Sequence, residues 1–253
     1  MKCALKQPFV MGKQSKSRNN MASISLSEIG LVESPYRQKF GIPRQPGLAP
    51  AAKGRIKLLG EVNSPDAFKS IEQYSHLWLI FVFHETMAQG WKPLVRPPRL
   101  GGNVKAGVFA TRSTFRPNPL GLSVVKNEGI EIIKRQVYLN ISELDLLDGT
   151  PIVDIKPYLP FADALPHASS DFAPTPPSTQ VEVHFAELAK QQLSIIEVRY
   201  PKLQVLIEQV LLQDPRPAYK RNKADDKVYA VSLYEFNIRW QVNHHIITVL
   251  DIT

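Results

Sequence analysis

The residue types best suited to chemistry fall in four short stretches. In Gly107 to Gly121, GVFATRSTFRPNPLG, Pro117 and Pro119 stiffen the chain around Asn118, so Arg112, Arg116 and Asn118 project from a rigid loop. Two guanidiniums held near each other suit a carboxylate or a phosphate, because each presents a planar fork of donors. A solvated basic loop pairing with acids elsewhere is the structural alternative, and these features alone do not separate the two. In Leu144 to Tyr158, LDLLDGTPIVDIKPY, the run Asp148-Gly149-Thr150-Pro151 is turn chemistry, and the stretch gathers Asp145, Asp148, Asp154 and Lys156 near one loop. Turns of this composition are most often structural. Pro43-Arg44-Gln45-Pro46-Gly47 is a further rigid loop with a polar pair, and His84-Glu85 stands where the apolar run Leu77 to Phe83 ends. A strand-end histidine bonded to backbone is the plainer reading of His84.

Several chemistries are excluded. There is no GxxxxGK[ST] phosphate loop, no strand-GxGxxG-helix for a dinucleotide or a Rossmann methyltransferase, and no GxSxG elbow. Leu100-Gly101-Gly102-Asn103 is an isolated glycine pair. The 6 histidines show no HxxxH or HExxH spacing, so no metal site is expected. The single cysteine, Cys3, excludes a disulfide framework and any CxxC pair, which suits a reducing cytoplasm. No apolar run approaches the roughly 18 residues of a membrane span.

Charge is concentrated rather than spread. The chain carries 31 bases against 23 acids, a net +8. Residues 1 to 20 hold five of those bases and no acid, and Thr86 to Asn127 holds seven more, Lys92, Arg96, Arg99, Lys105, Arg112, Arg116 and Lys126, again with no acid. The remainder is slightly acidic. A basic segment of this kind points to a polyanion.

The elements that must position these residues follow from periodicity. From Ile24 to about Pro160, short apolar runs alternate with Pro and Gly punctuation, which predicts strands at 24–32, 77–83, 107–110, 122–126, 128–133 and 137–143. Only Asp66 to Tyr74 reads as a helix, with Ser64 as its cap and Pro65 in its first turn. Many short strands without alternating long helices imply a curled antiparallel or mixed sheet. Residues 166–180, rich in Pro, Ser and Thr, read as a linker. Beyond it, 181–253 reads as a small α+β module: a strand at 181–185, helices at 187–200 and 201–213, and a strand pair at 234–242 and 245–250. The expected class is therefore mainly β with a small α+β module, with a domain at 21–165. Residues 1–20 read as a disordered basic leader, or as an upstream start ahead of Met21.

SPYRQKFGIPRQPG, HLWLIFVFH, WKPLVRPPRLGGN, GVFATRSTFRPNPLG and LDLLDGTPIVDIKPYLPFADA together resemble the TsaA-like family, in one order from Met21 to about Leu250. The resemblance implies a single-sheeted β-barrel that binds S-adenosylmethionine without a Rossmann domain, acts as a homodimer, and methylates N6 of threonylcarbamoyladenosine at position 37, beside the anticodon of a threonine tRNA. Carried residue by residue, the cofactor pocket falls on Pro43, Arg44, Gln45, His84, Glu85, Arg112 and Leu122, and on the loop with Asp145, Asp148, Gly149, Thr150 and Pro151. Glu85 is often a neutral amide in the family. Arg112 or Arg44 would answer the cofactor carboxylate and Asp145 or Asp148 its cationic or hydroxyl groups. Arg96, Arg99, Lys105 and Arg116 would meet RNA phosphates. The target base would enter near Arg116, Asn118, Asp154, Lys156 and Tyr158. The base for the N6 proton stays open among Asp148, Asp154, Tyr158 and the modified nucleoside's own carboxylate.

Overall fold

A computed structural model describes residues 24–97, 104–171, 173, 181–216 and 225–253. Residues 1–20, Arg99 and most of the linker therefore lie outside the described residues, as does the glycine pair at 101–102. The N-terminal strands are β1 (Gly30–Glu33), β2 (Lys53–Leu58), β3 (His76–Val82), β4 (Leu94–Val95), β5 (Ala106–Gly107), β6 (Leu120–Ile133), β7 (Gln136–Ser142) and β8 (Pro151–Pro157). Six of them pair antiparallel in the cyclic order β1-β2-β7-β6-β3-β8, and β8 returns to β1 through Gly30 opposite Ile152, closing a barrel. Closure removes the exposed edges that an open sheet would present.

Alternation explains why this sequence fills the barrel. Leu77, Leu79 and Phe81 of β3, Val137, Leu139 and Ile141 of β7, and Ile56 and Leu58 of β2 all point inward and are buried. Each contributes roughly 1.5–3 kcal/mol relative to exposure. Gly121, two residues into β6, faces Phe81, where a Cβ would lie 2.2 Å from the ring. Only glycine lets the Phe81 ring lie there.

The described part of the C-terminal region comprises β9 (Glu182–Phe185), β10 (Asp225–Leu233), β11 (Phe236–Asn243) and β12 (Ile246–Ile252), in the sheet order β10-β11-β12-β9. Four α-helices stand among the described residues, beside several short 3-10 turns: single turns α1 (His84–Met87) and α2 (Pro160–Asp163), then α3 (Glu187–Ile196) and α4 (Leu203–Leu211). The stripe expected on α4, Leu203, Leu206, Ile207, Val210 and Leu211, is buried throughout. No helix among the described residues is long and apolar enough to cross a membrane.

The two regions share one continuous core. The segment after β1 joins them: Tyr36 bridges Leu233, the Tyr234 N–H donates to Pro35 O at 2.7 Å, and Arg37 Nε donates to Tyr234 O at 3.1 Å.

The mainly-β class is observed, but individual elements depart from expectation. The helix at 66–74 is two 3-10 turns, Pro65–Phe68 and Ile71–Gln73, broken at Ser70 with φ 69°. Such a short segment with two apolar anchors cannot support the costly helix nucleus. Ser64 does cap it, accepting the Asp66 N–H at 3.3 Å. The strands expected at 122–126 and 128–133 are one, β6, bent where pairing with β7 shifts between Asn127 and Ile130. The strand expected from Ile24 begins only at Gly30, and the one at 107–110 gives way after Gly107 to a 3-10 turn, Val108–Ala110. Tyr234 sits in a turn at φ 53°, so β11 starts at Phe236.

Candidate cofactor and active site

A cavity of about 1150 Å³ opens where the end of β3 meets the loop after β1, the 145–150 turn and the C-terminal end of α4. β3 delivers Phe81 and Val82 to its wall, and Phe83 N–H donates to Pro119 O at 2.8 Å, which ties the strand end to the Pro117-Asn118-Pro119 stretch. α1 then starts directly, which puts His84 and Glu85 on the rim with His84 Nε2 3.6 Å from Glu85 Oε1. Leu122 of β6 adds an apolar side chain to the wall.

The turn at 145–150 is held by backbone before its side chains do anything. Asp148 N–H donates to Tyr36 O at 2.9 Å and Gly149 N–H to Val32 O at 2.8 Å. Gly149 takes φ 76°, a left-handed value that glycine adopts without strain. Pro151 then opens β8 opposite Leu31 and so fixes Thr150, which lines the cavity. Gly149 and Pro151 shape this turn rather than line the space.

Its two carboxylates differ. Asp148 accepts the Ser34 N–H at 2.9 Å on Oδ1 and the Arg37 guanidinium on Oδ2. Asp145 is partly buried in the wall, with Ser123 Oγ donating to Oδ1 at 2.5 Å. Burial pushes the Asp145 carboxyl above the ordinary carboxylate range, opposed by the Ser123 bond and by Arg112. Burial, and secondarily the nearby Asp145, also raises the Tyr36 phenol, whose hydroxyl is fully buried with no hydrogen-bond partner among the described residues.

Across from Asp145, Arg112 donates through Nη1 to Gln45 Oε1, and Gln45 Nε2 donates to Arg44 O at 2.5 Å. Pro43, Arg44, Gln45, His84, Glu85, Arg112, Leu122, Asp145, Asp148 and Thr150 thus converge on one space from five separate stretches of chain.

The remaining expected site residues lie elsewhere. Arg116 turns back on its own loop: Nη1 donates to Thr111 O at 2.8 Å and Val108 O at 3.3 Å, and the guanidinium lies 5.5 Å from the Phe109 ring centre. Asn118 is exposed beside it. Asp154 pairs with Lys156 at 2.7 Å and sits opposite Ile80, while Tyr158 packs against Trp78 and His76 at 5.7 and 6.3 Å between ring centres. That places Tyr158 near the start of β3, roughly 20 Å along the strand from its cavity end at about 3.3 Å per residue. Arg96 and Lys105 are exposed at one end of the short β4-β5 ribbon, just after β4 and just before β5. Among the described residues no group of 3 or more His, Cys, Asp or Glu side chains gathers to hold a metal ion.

Lining residues that the sequence did not single out include Lys39 and Phe40 after β1, and Val210, Gln213, Pro215 and Arg216 from the C-terminal region. Arg216 is buried and grips Asp214 through Nε and Nη2 at 2.8 and 2.9 Å. The first two fall inside the SPYRQKFGIPRQPG stretch. Nothing in the α4 pattern, which reads as an ordinary apolar stripe, announces the others.

Residues 31–164 match the tRNA-methyltransferase O N-terminal domain, and residues 178–253 match the TrmO C-terminal domain. The chain belongs to the tRNA-methyltransferase O family. It is 52% identical over 222 residues to the tRNA (adenine(37)-N6)-methyltransferase of Escherichia coli, covering 88% of this chain and 94% of that protein. It is 45% identical over 231 residues to a putative S-adenosylmethionine-dependent methyltransferase, RcsF, of Pseudomonas aeruginosa, covering 90% of this chain and 97% of that protein. A crystal structure of TrmO from P. aeruginosa superposes with a TM-score of 0.79 at 40% identity, over 93% of this chain and all of that one. These matches extend across both regions that line the cavity, so the TrmO fold covers the C-terminal wall as well as the barrel.

Proposed function

We propose that this chain is an S-adenosylmethionine-dependent methyltransferase that acts on N6 of adenine 37 in tRNA, with threonylcarbamoyladenosine in a threonine tRNA as the nucleoside it takes. The observation that carries the reading is the convergence of Arg112, Asp145 and the Pro43-Arg44-Gln45 loop on one cavity, in a chain 52% identical to the E. coli enzyme. The residue set fits the cofactor. Arg112 and Arg44 supply cations for a carboxylate, Glu85 an anion for an ammonium or hydroxyl, and Phe81, Phe83 and Leu122 apolar surface for a purine. His84 completes the holding set with Thr150, which sits on the turn that Gly149 and Pro151 shape. When bound, S-adenosylmethionine supplies an activated methyl group.

The protein's own part is chiefly positional. The fixed 145–150 turn and the Arg112–Gln45 bond hold the walls in place, and orientation of this kind supplies up to roughly 7–11 kcal/mol of a barrier. Asp145 is the best-placed acceptor for the N6 proton, because burial has made its carboxylate more basic than usual and it lines the cavity. Both Asp148 oxygens are already engaged.

Asp154, Lys156 and Tyr158 keep a role in this reading only if a second protomer presents them. The family resemblance to a homodimer supports that arrangement, in which the outer face of β8 would meet the partner's cavity together with Arg116 and Asn118. Arg96, Arg99 and Lys105 would draw in the anticodon stem and loop through its phosphates. A cytoplasmic location follows from a tRNA substrate.

The test is methyl transfer to threonine tRNA with and without the threonylcarbamoyl group, using purified protein and labelled S-adenosylmethionine. Transfer to N6 of the modified nucleoside and little to the unmodified transcript is expected. Equal turnover of both would refute the modified substrate, and bound tRNA with no turnover of either would refute the enzyme.

A further inference from the structure

The loop that carries Arg44 and Gln45 joins β1 to β2, and where its backbone is partly buried, at Ala51, the N–H needs an acceptor that neither strand provides. Two glutamines of the C-terminal region bond to this loop, one at that buried N–H and one at the exposed Arg44 N–H. Gln209, on α4, accepts the Ala51 N–H on Oε1 at 2.8 Å, and Gln213, just beyond the helix, accepts the Arg44 N–H at 3.4 Å. The two are one helical turn apart on the same side, and Gln213 Nε2 donates to Gln209 O at 3.1 Å, which fixes the second side chain. On the barrel side the loop is held by Gly47 N–H donating to Glu143 O at 2.9 Å. Contacts therefore run from α4 to the loop backbone, from the loop to Gln45, and from Gln45 to Arg112. Gln213 also lines the cavity itself.

We propose that Gln209 and Gln213 are positioning residues that latch the 43–51 loop and thereby set the affinity of the cavity for S-adenosylmethionine. The barrel alone leaves Arg44 and Gln45 on a tether anchored at the strand ends and at Gly47. With the latch, the C-terminal region becomes one jaw of the cofactor site. This rests on the reading that the cavity holds the cofactor.

The experiment uses the full chain with Gln209→Leu and Gln213→Leu combined, Gln213→Ala as a milder variant, and Gln209→Glu, which keeps an oxygen acceptor for Ala51. Amide exchange across residues 44–51 reads the latch without any turnover, and calorimetry with S-adenosylmethionine reads its consequence. The double variant is expected to exchange those amides at least about tenfold faster while β3 and β7 stay protected. Its dissociation constant for the cofactor should rise about tenfold. Gln209→Glu should stay within about threefold of the parent on both readouts. Unchanged exchange in a folded double variant overturns the latch, and faster exchange with unchanged affinity overturns its link to the cofactor. If the double variant fails to fold, Gln213→Ala decides on the same two readouts. A parent protein that binds no S-adenosylmethionine defeats the proposed function and the affinity claim together, whereas loss of the latch alone leaves parental binding intact.

Discussion

The stretch from Leu144 to Tyr158 contains two halves of similar composition and opposite placement. Its first half, through Thr150, folds into the cavity, whereas its second half becomes β8 and carries Asp154, Lys156 and Tyr158 along the outside of the barrel. Even within the first half the two aspartates part company. Asp148 spends both oxygens on Ser34 and Arg37 and so holds the turn to the segment after β1. Asp145 gives one oxygen to Ser123 and bears the cost of burial. Residue type and proximity in sequence do not fix a role. What decides it is whether the backbone has turned or extended.

The largest effect expected from this contrast is at Asp145. If it takes the N6 proton, Asp145→Asn should lower kcat by about 100-fold or more, the range of general base catalysis. It should also abolish the acidic limb of the pH–rate profile, a limb that lies above the ordinary carboxylate range because burial raises this group. Stability moves the other way. A carboxyl raised in the folded state favours folding fully below its unfolded pKa, and that contribution is lost as pH rises through the raised value. At neutral pH the asparagine variant should therefore melt no lower than the parent in a thermal scan. A variant that keeps both its activity and its acidic limb would show that Asp145 binds without catalysing.

Much of this was legible in the sequence, and the failures have physical causes. The inward rows of β3 and β7 and the stripe of α4 stand out because a buried face imposes a period on the chain. β2, with the sequence KGRIKL, has only Ile56 and Leu58 to bury and hides its strand among charges. β8 does not announce itself as a strand, because Pro151 and Pro157 bracket it and aspartate and lysine occupy its wet face. The residues expected to hold the cofactor, from 43 to 45, at 84 and 85, and at 112, 122, 145, 148 and 150, follow from the family resemblance, and the structure gathers them around one cavity. Gln209 and Gln213 could not be found that way. Their partners are backbone N–H groups about 160 residues away, and backbone leaves no mark in side-chain patterns.

The next effect tests whether the outer half of the stretch serves another molecule. Arg112→Ala should lower turnover about tenfold or more by removing a side chain from the cavity wall, and Tyr158→Ala should do the same if a second protomer presents that ring to the cavity. If the protein is a homodimer whose cavity takes Tyr158 from the partner, the two variants mixed in equal amounts would exchange subunits and form some heterodimers in which one cavity is assembled from two intact halves. Activity of the mixture should then exceed that of either variant several-fold, toward a ceiling of about a quarter of the parent for random pairing. A mixture no more active than the average of its parts, with a monomeric mass by light scattering, would confine catalysis to one chain and remove Asp154, Lys156 and Tyr158 from the site.

The smallest effect belongs to Asp148, and it should be structural first. Asp148→Ala removes the acceptor for Ser34 N–H and the partner of Arg37, which is itself half exposed and can turn to solvent. The cost should be about 1–3 kcal/mol, mostly the unsatisfied amide, because the exposed ion pair contributes little. Asp148→Asn keeps an oxygen for Ser34 and should recover most of that loss, although it gives up the charge facing Arg37. Chemical denaturation of the two variants separates these contributions, and turnover at saturating cofactor should fall only a few-fold in either. If Asp148→Asn melts like the parent yet loses activity on the scale expected for Asp145→Asn, the division between a structural and a chemical aspartate fails, and the proton has been assigned to the wrong end of the turn.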